Sequence, residues 1–293
     1  MQAGSAPGRP AFLSAASGLV RTGDELCVVA DDELHLGRFP LSSTRPGRLL
    51  RLLPGSLPAP AALRKRRKPD LEVLLRLPVC VEWPRGALLA LGSGSLPRRS
   101  RGAWIALGSN GRVTGRPHPV DASPLYARLT SELGELNIEG GWVSGDSLFL
   151  LQRGNRGNAR NAIIRLALQP LLSGIRNGQM AALPPRTLKH MALGHIDGVP
   201  LGFTDGTGLR DGRWLFTAVA EDTVNSYRDG ACAGAVIGLA DAHHRIQWQR
   251  QVDPPLKIEG IEASAAGNAR RLLLVSDADD PALPAQLSTV SLR

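Results

Sequence analysis

The stretch Asn137-Ile-Glu-Gly-Gly-Trp-Val-Ser-Gly-Asp-Ser-Leu-Phe-Leu-Leu-Gln152 decides the fold, because it is a strand, a tight turn and a second strand, written once and repeated along the chain. Ile138 to Val143 is one short apolar run and Ser147 to Gln152 the next. Ser144-Gly-Asp146 between them supplies the residue types that a tight turn needs. Variants of this phrase begin at Ser17-Gly-Leu-Val, Asp70-Leu-Glu-Val, Phe203-Thr-Asp-Gly and Lys257-Ile-Glu-Gly. The anchors Gly18, Glu72, Glu139, Asp205 and Glu259 stand 54, 67, 66 and 54 residues apart. Repeats at tens of residues point to a propeller, solenoid or array.

Each unit divides into four strands. The first reads Gly18–Arg21, Glu25–Ala30, Glu33–Arg38 and Arg48–Leu53. The third continues with Ala162–Leu168 and Arg186–Leu193. The fifth has three strands, and Pro10-Ala-Phe-Leu-Ser14 is available to complete it and close the ring. The expectation is an all-β, five-bladed β-propeller in one domain over residues 1–293. Approximate blades are 15–55, 69–120, 136–195, 201–252 and 256–293 with 10–14. A sixth blade within 105–135 is the rival count. Units of about 59 residues (293/5) exceed the ~40–45 of compact blades, so long loops fill the remainder. With 33 Gly and 22 Pro, helical signals are poor; Pro124-Leu-Tyr-Ala-Arg-Leu-Thr reads as at most a helical turn.

The net charge of +9 favours anionic partners. Its densest run, Arg64-Lys-Arg-Arg-Lys68, reads as a solvated face or a docking surface. Aromatics make up only 4% and none interrupts that run, so the stacking platforms of a nucleic-acid binder are missing. No apolar run approaches the ~20 residues of a membrane helix. No signal peptide is legible at Met1-Gln-Ala-Gly-Ser, which points to the cytoplasm. Cys27, Cys80 and Cys232 lie in or beside apolar segments and read as buried small hydrophobes in a reducing compartment.

A meander puts alternate connections on opposite faces of the disc. The first-to-second-strand turns, Thr22-Gly-Asp24, Ser144-Gly-Asp146 and Leu209-Arg-Asp-Gly212, are plain. The other face gathers Lys68-Pro-Asp-Leu-Glu72, Gly92-Ser-Gly-Ser…Arg101, Gln152-Arg-Gly-Asn155, Ala220-Glu-Asp-Thr223 and Ser276-Asp-Ala-Asp-Asp-Pro281. Inner strands line the channel of a propeller, so acids at their starts converge. Converging carboxylates must be protonated, paired with Lys or Arg, or neutralised by a metal. The candidate ligands are Glu72, Glu139, Asp205, Glu221, Glu259 and Asp277. An oxygen-only set suits Ca²⁺, with Mg²⁺ the alternative. The purely structural reading, ion pairs with Lys68, Lys257 and Arg153, stands beside it. Arg98, Arg153, Asn155, Lys68 and Lys257 are the candidates to bind an anionic small molecule, and Arg156 shares their loops. Glu139 and Glu221 are the catalytic candidates. No nucleophile elbow, P-loop or dinucleotide fingerprint is present in the sequence.

Taken together, Lys-Pro-Asp-Leu-Glu, Asn-Ile-Glu-Gly…Gln-Arg-Gly-Asn, Gly-Phe-Thr-Asp, Ala-Glu-Asp-Thr and Lys-Ile-Glu-Gly…Asp-Ala-Asp-Asp-Pro resemble an uncharacterised bacterial propeller family. The set is similar, more distantly, to the phytase-like and SdiA-regulated propellers. The resemblance implies acids around the axis, bound calcium and phosphoester hydrolysis, and exported relatives make the periplasm the alternative location. Glu139 and Glu259 match the relatives' Glu-Gly motif, and Glu72 matches its Glu alone. Ala16-Ser-Gly18 lacks the acid altogether. A propeller that binds a ligand or a protein without turnover is the competing function.

Overall fold

A computed structural model describes residues 10–41, 45–155, 157, 160–222, 232–263 and 271–292. The first sheet holds β1 (Ala16–Thr22), β2 (Glu25–Ala30), β3 (His35–Pro40) and β4 (Arg48–Arg51). Helix α1 (Ala61–Arg67) leads to the second: β5 (Leu71–Leu77), β6 (Ala87–Gly92), β7 (Arg101–Ala106) and β8 (His118–Asp121). Helix α2 (Ser123–Leu133) precedes the third, made of β9 (Ile138–Ser144), β10 (Ser147–Gln152), β11 (Ala162–Ala167) and β12 (Thr187–His190), with α3 (Leu168–Arg176) inserted before β12. The fourth runs β13 (His195–Ile196), β14 (Val199–Gly208), β15 (Trp214–Glu221), β16 (Cys232–Ala240) and β17 (Ile246–Gln251). The fifth has β18 (Ile258–Ala263), β19 (Arg271–Ser276) and β20 (Gln286–Ser291).

These five antiparallel sheets form a ring. Inner strands touch in the order β1, β5, β9, β14, β18 and back to β1. The core is five apolar clusters, each filled by two neighbouring blades. Val29 and Leu34 meet Leu71 and Ile105; Leu19 and Val28 meet Val275 across the closing seam. Burial on both faces explains why the second strands read as unbroken apolar runs: β6 and β15 are buried throughout. Outer strands such as β20 alternate and are largely exposed.

The seam closes differently from expectation. Residues 10–14 form no strand against the last sheet; Ala285 N donates to Leu13 O (2.8 Å), and the Leu13 side chain packs with the seam cluster. The segment 105–135 is not a sixth blade, because α2 occupies its second half and buries Leu125, Tyr126 and Leu129. Helix α3 follows the spacing Leu168, Leu171, Leu172, Ile175, one helical face in the stretch between the expected strands Ala162–Leu168 and Arg186–Leu193. Of the cysteines, which are free thiols, Cys27 is buried, Cys80 half-buried and Cys232 exposed, so only the first fits the buried expectation.

All five inner strands carry a β-bulge at the same place. Their pairing skips Ser17, Glu72, Glu139, Thr204 and Glu259. A bulge opposes two residues to one and re-aims the side chain. The register therefore aligns Thr204, not Asp205, with the three glutamates. Next to each bulge the strands nearly touch: a Cβ on Gly140 would sit 2.7 Å from Asp205 Cα, and one on Gly18 3.0 Å from Glu72 O. Gly140→Ala should cost about 1–3 kcal/mol through overpacking. Gly108→Ala, where a Cβ meets nothing closer than 3.4 Å, should be near neutral. Paired denaturation curves of the two variants check this.

Candidate functional site

The bulges bring Glu72, Glu139 and Glu259 to one mouth of the channel, and backbone hydrogen bonds fix the loops around them. Asp70 N donates to Asp31 O (2.9 Å), Ser93 N to Asp70 O (2.9 Å), Ile138 N to Ser93 O (2.8 Å) and Arg153 N to Asn137 O (2.9 Å). This relay stitches three successive blades, and most of its members turn a polar side chain toward the mouth. Asp70 takes φ 59°, a left-handed backbone that Asp tolerates better than most residues. Pro69 before it and the end of α1 at Lys68 set the approach.

The first half of the site centres on Asp70. Lys68 Nζ lies 2.9 Å from Asp70 Oδ1 and also binds Asp31. Arg99 Nη1 lies 2.8 Å from Asp70 Oδ2, and Ser93 Oγ donates to the same oxygen. The second half centres on Arg153. Its guanidinium reaches Glu221 (2.5 Å), Glu139 (3.4 Å) and Glu259 (4.0 Å). Lys257 joins Asp279 (2.6 Å), Glu259 (3.3 Å) and Glu221 (3.9 Å). Arg153 crosses directly over Gly202, where a Cβ would stand 2.9 Å from Arg153 Cγ. A glycine in the fourth blade thus clears the path of a side chain from the third.

Glu72 lies between the halves. It is buried, and no hydrogen bond or ion pair reaches its carboxyl group among the described residues. The oxygens of Asp31, Asp70 and Glu72 all fall within 4.8 Å of one another, a group of three acids that could hold a metal ion. A cavity of about 270 Å³, lined by Ser14, Asp31, Lys68, Lys257 and Asp277, opens onto this region.

Carboxylates outnumber cations here, and their acidities record it. Burial, then repulsion from Glu139, Asp70 and Asp31, pushes Glu72 well above the usual glutamate range. Burial raises Glu139 to about 8 despite Arg153, and Asp277 to about 8 despite Lys257. Burial also raises Asp31 and Glu259. Asp70 goes the other way: Lys68, Arg99 and Ser93 outweigh its burial and hold it below the ordinary value. Burial opposes the charge of Lys68 and Lys257, yet the surrounding acids lift both well above the usual lysine value.

Glu72, Glu139, Glu221, Glu259 and Asp277 are therefore brought together with Lys68, Lys257 and Arg153. Asp205 is not among them. One residue past the bulge, its oxygens accept from Gly206 N (2.7 Å) and Ile261 N (2.9 Å), and it lines the channel toward the opposite mouth. Arg98 is exposed on a 3-10 turn over Pro97–Arg99, while its neighbour Arg99 points inward. Asn155 Nδ2 donates to Glu135 (3.2 Å), outside the cluster. Arg156 and most of the loop after Asp222 lie outside the described residues. Asp31 and Asp70 were not named as ligands, although Asp31-Asp32 is a loop of this face and Asp70 stands inside the quoted Lys-Pro-Asp-Leu-Glu motif; Arg99 lies on the Gly92–Arg101 loop expected at this mouth. The basic run also differs from a solvated face, since Arg64 is buried and binds Asp32 (2.7 Å) while Lys68 turns into the site.

A family model described as "Family of unknown function (DUF6929)" matches residues 12–292. No curated protein matches the chain by sequence. Solved structures similar in fold include a glucose dehydrogenase (10% identity, TM-score 0.48, 96% of this chain and 98% of that one). A luciferin-regenerating enzyme is similar at 11% identity and TM-score 0.45, covering 96% and 92%. The mannose phosphorylase MPT-4 from Leishmania mexicana is similar at 13% identity and TM-score 0.45, covering 97% and 86%. The phytase-like resemblance rests on the quoted motifs alone. Among the described residues no helix is long and apolar enough to cross a membrane.

The acidities set a pH dependence. Glu72, Glu139 and Asp277 keep protons in the native state that the unfolded chain releases near pH 4 to 4.5. Their contribution to stability is thus fully present below about pH 4 and is lost as pH rises toward about 8. In chelator, the melting temperature should fall steadily from about pH 5 to about pH 8.5. A rise over that interval would contradict the assignment.

Proposed function

The chain belongs to this family of unknown function, and from that premise we propose that its acidic mouth takes up a divalent cation and, through it, an anionic phosphorylated small molecule. The observation that carries the reading is Glu72, a buried carboxyl without a partner among the described residues, beside Asp31 and Asp70. Burying an uncompensated acid is costly, and a bound cation removes that cost. Oxygen donors alone favour Ca²⁺, with Mg²⁺ second. The fit has one competitor: Lys68 already bridges Asp31 and Asp70 and must swing aside for the metal. Glu259 on β18, Glu221 and Asp277 are the further ligands this reading assigns within the same mouth.

A divalent cation supplies Lewis acidity to a phosphoester. Glu139, which holds its proton to about pH 8, is placed as a general acid, with Glu221 across Arg153 as its partner carboxylate. For the anion, Lys68, Lys257 and Arg153 are the cations on which a ligand at this mouth would draw. A second reading, binding of a ligand or protein without turnover, is favoured by one feature: Arg153 and Lys257 are spent on ion pairs inside the cluster.

Metal analysis of protein purified without chelator should find a stoichiometric divalent ion. Calcium at about 100 times Kd should stabilise the protein by about 2.7 kcal/mol. Glu72→Gln should stay folded in chelator and should lose the calcium response. An unshifted melting curve in wild type sinks the metal. With metal bound, a phosphoester panel separates the two readings: turnover lost in Glu139→Gln supports hydrolysis, and equal rates in both proteins favour binding alone.

A further inference from the structure

The face that carries only plain turns in the sequence holds a second cavity. About 660 Å³ in volume, it lies at the opposite end of the axis, and all five inner strands line it. This size falls within the range of small-molecule sites. Its ionisable groups come from four strands: Arg21 on β1, Arg76 on β5, Asp205 on β14 and Glu262 on β18. The lining residues of β9 carry no charge.

Both arginines are exposed, and neither forms an ion pair among the described residues. Arg76 Nη2 donates to Arg21 O (3.0 Å), which draws the two side chains to the same rim. Arg21 N donates to Glu262 Oε1 (3.4 Å), so the carboxyl group sits at the foot of the pair. Burial raises Glu262 to about 7, with Arg76 and Arg21 opposing the rise. Burial likewise holds Asp205 well above the usual aspartate range, against the pull of its two backbone amides. Two exposed guanidinium groups thus stand at this mouth, with Asp205 buried and Glu262 half-buried below them. A positive rim over a low-dielectric channel concentrates anions, and guanidinium forks match oxyanion geometry.

We propose that this mouth is a binding site, separate from the acidic one, for a small organic oxyanion (a carboxylate or a phosphomonoester) held by Arg21 and Arg76. Glu262 beneath them acts as a pH-sensitive floor: protonated it tolerates the anion, and ionised it repels it. Asp205 is the other titratable group in the cavity, and its amide contacts keep it fixed.

Calorimetric titration of inorganic phosphate and of succinate, in chelator with chloride held constant, tests this. At least one of them should bind with a single saturable isotherm, and which one does so identifies the oxyanion class. Arg21→Gln and Arg76→Gln should each weaken binding at least 10-fold while melting like wild type, since both side chains are exposed. Binding should weaken from about pH 6 to about pH 8 in wild type and stay constant in Glu262→Gln. No saturable binding of either anion, or unchanged affinity in the Arg21→Gln/Arg76→Gln double variant, overturns the proposal.

Discussion

Five inner strands approach a common axis so closely that a Cβ on Gly140 would stand 2.7 Å from Asp205 Cα and one on Gly18 3.0 Å from Glu72 O, and the rest of the molecule is arranged around that contact. Strands at such separation cannot keep every side chain on a regular pleat. Each releases the crowding in a bulge at the same level, over Ser17, Glu72, Glu139, Thr204 and Glu259. The bulges turn three glutamates toward one mouth, so backbone packing and site formation are a single event. Apolar clusters shared by neighbouring blades supply the hydrophobic driving force, and the axis decides where the polar groups go.

Concentrating carboxylates in a small volume has an electrostatic cost that four cations meet only in part. Lys68 and Arg99 serve Asp70, while Arg153 and Lys257 serve Glu139, Glu221 and Glu259. Removing one partner of such buried pairs leaves an uncompensated charge, so these residues hold one another in place even where their net stabilisation is small. Glu72 is left over. Among the described residues no hydrogen bond or ion pair reaches its carboxyl group, and burial beside Glu139, Asp70 and Asp31 raises its affinity for a proton. The two mouths then differ: acids outnumber cations at one, and two exposed arginines stand over two carboxyl groups at the other.

Much of the architecture was legible before any coordinates. Gly-Asp turns at fixed places and continuous apolar second strands follow from local rules, and they mark the blades correctly. The face bearing the acids was legible too, since strand direction alternates in a meander. Local rules failed where long-range contact decides. Residues 10–14 look like a strand, but they form none in the structure, and Leu13 O accepts a bond from Ala285 N in the last blade. The period Leu168 to Ile175 is helical, yet it starts at the last residue of an expected strand and lies in a connection to which no element was given. Asp205 fits the written repeat by spacing, and a bulge one residue earlier moves it out of register.

The sequence by itself determined the repeat and the level along three inner strands at which a glutamate occurs, because strand and turn formation depend on residues a few positions apart. Only the tertiary structure decided between five blades and six, which acids meet, which cation answers each, and that no hydrogen bond or ion pair reaches Glu72 among the described residues. Those outcomes depend on side chains from different blades: Arg153 over Gly202 toward Glu221, Lys68 between Asp31 and Asp70, Arg99 instead of Arg98. Pairing across tens of residues is set by the closed ring and its bulges, and no spacing within one blade encodes it.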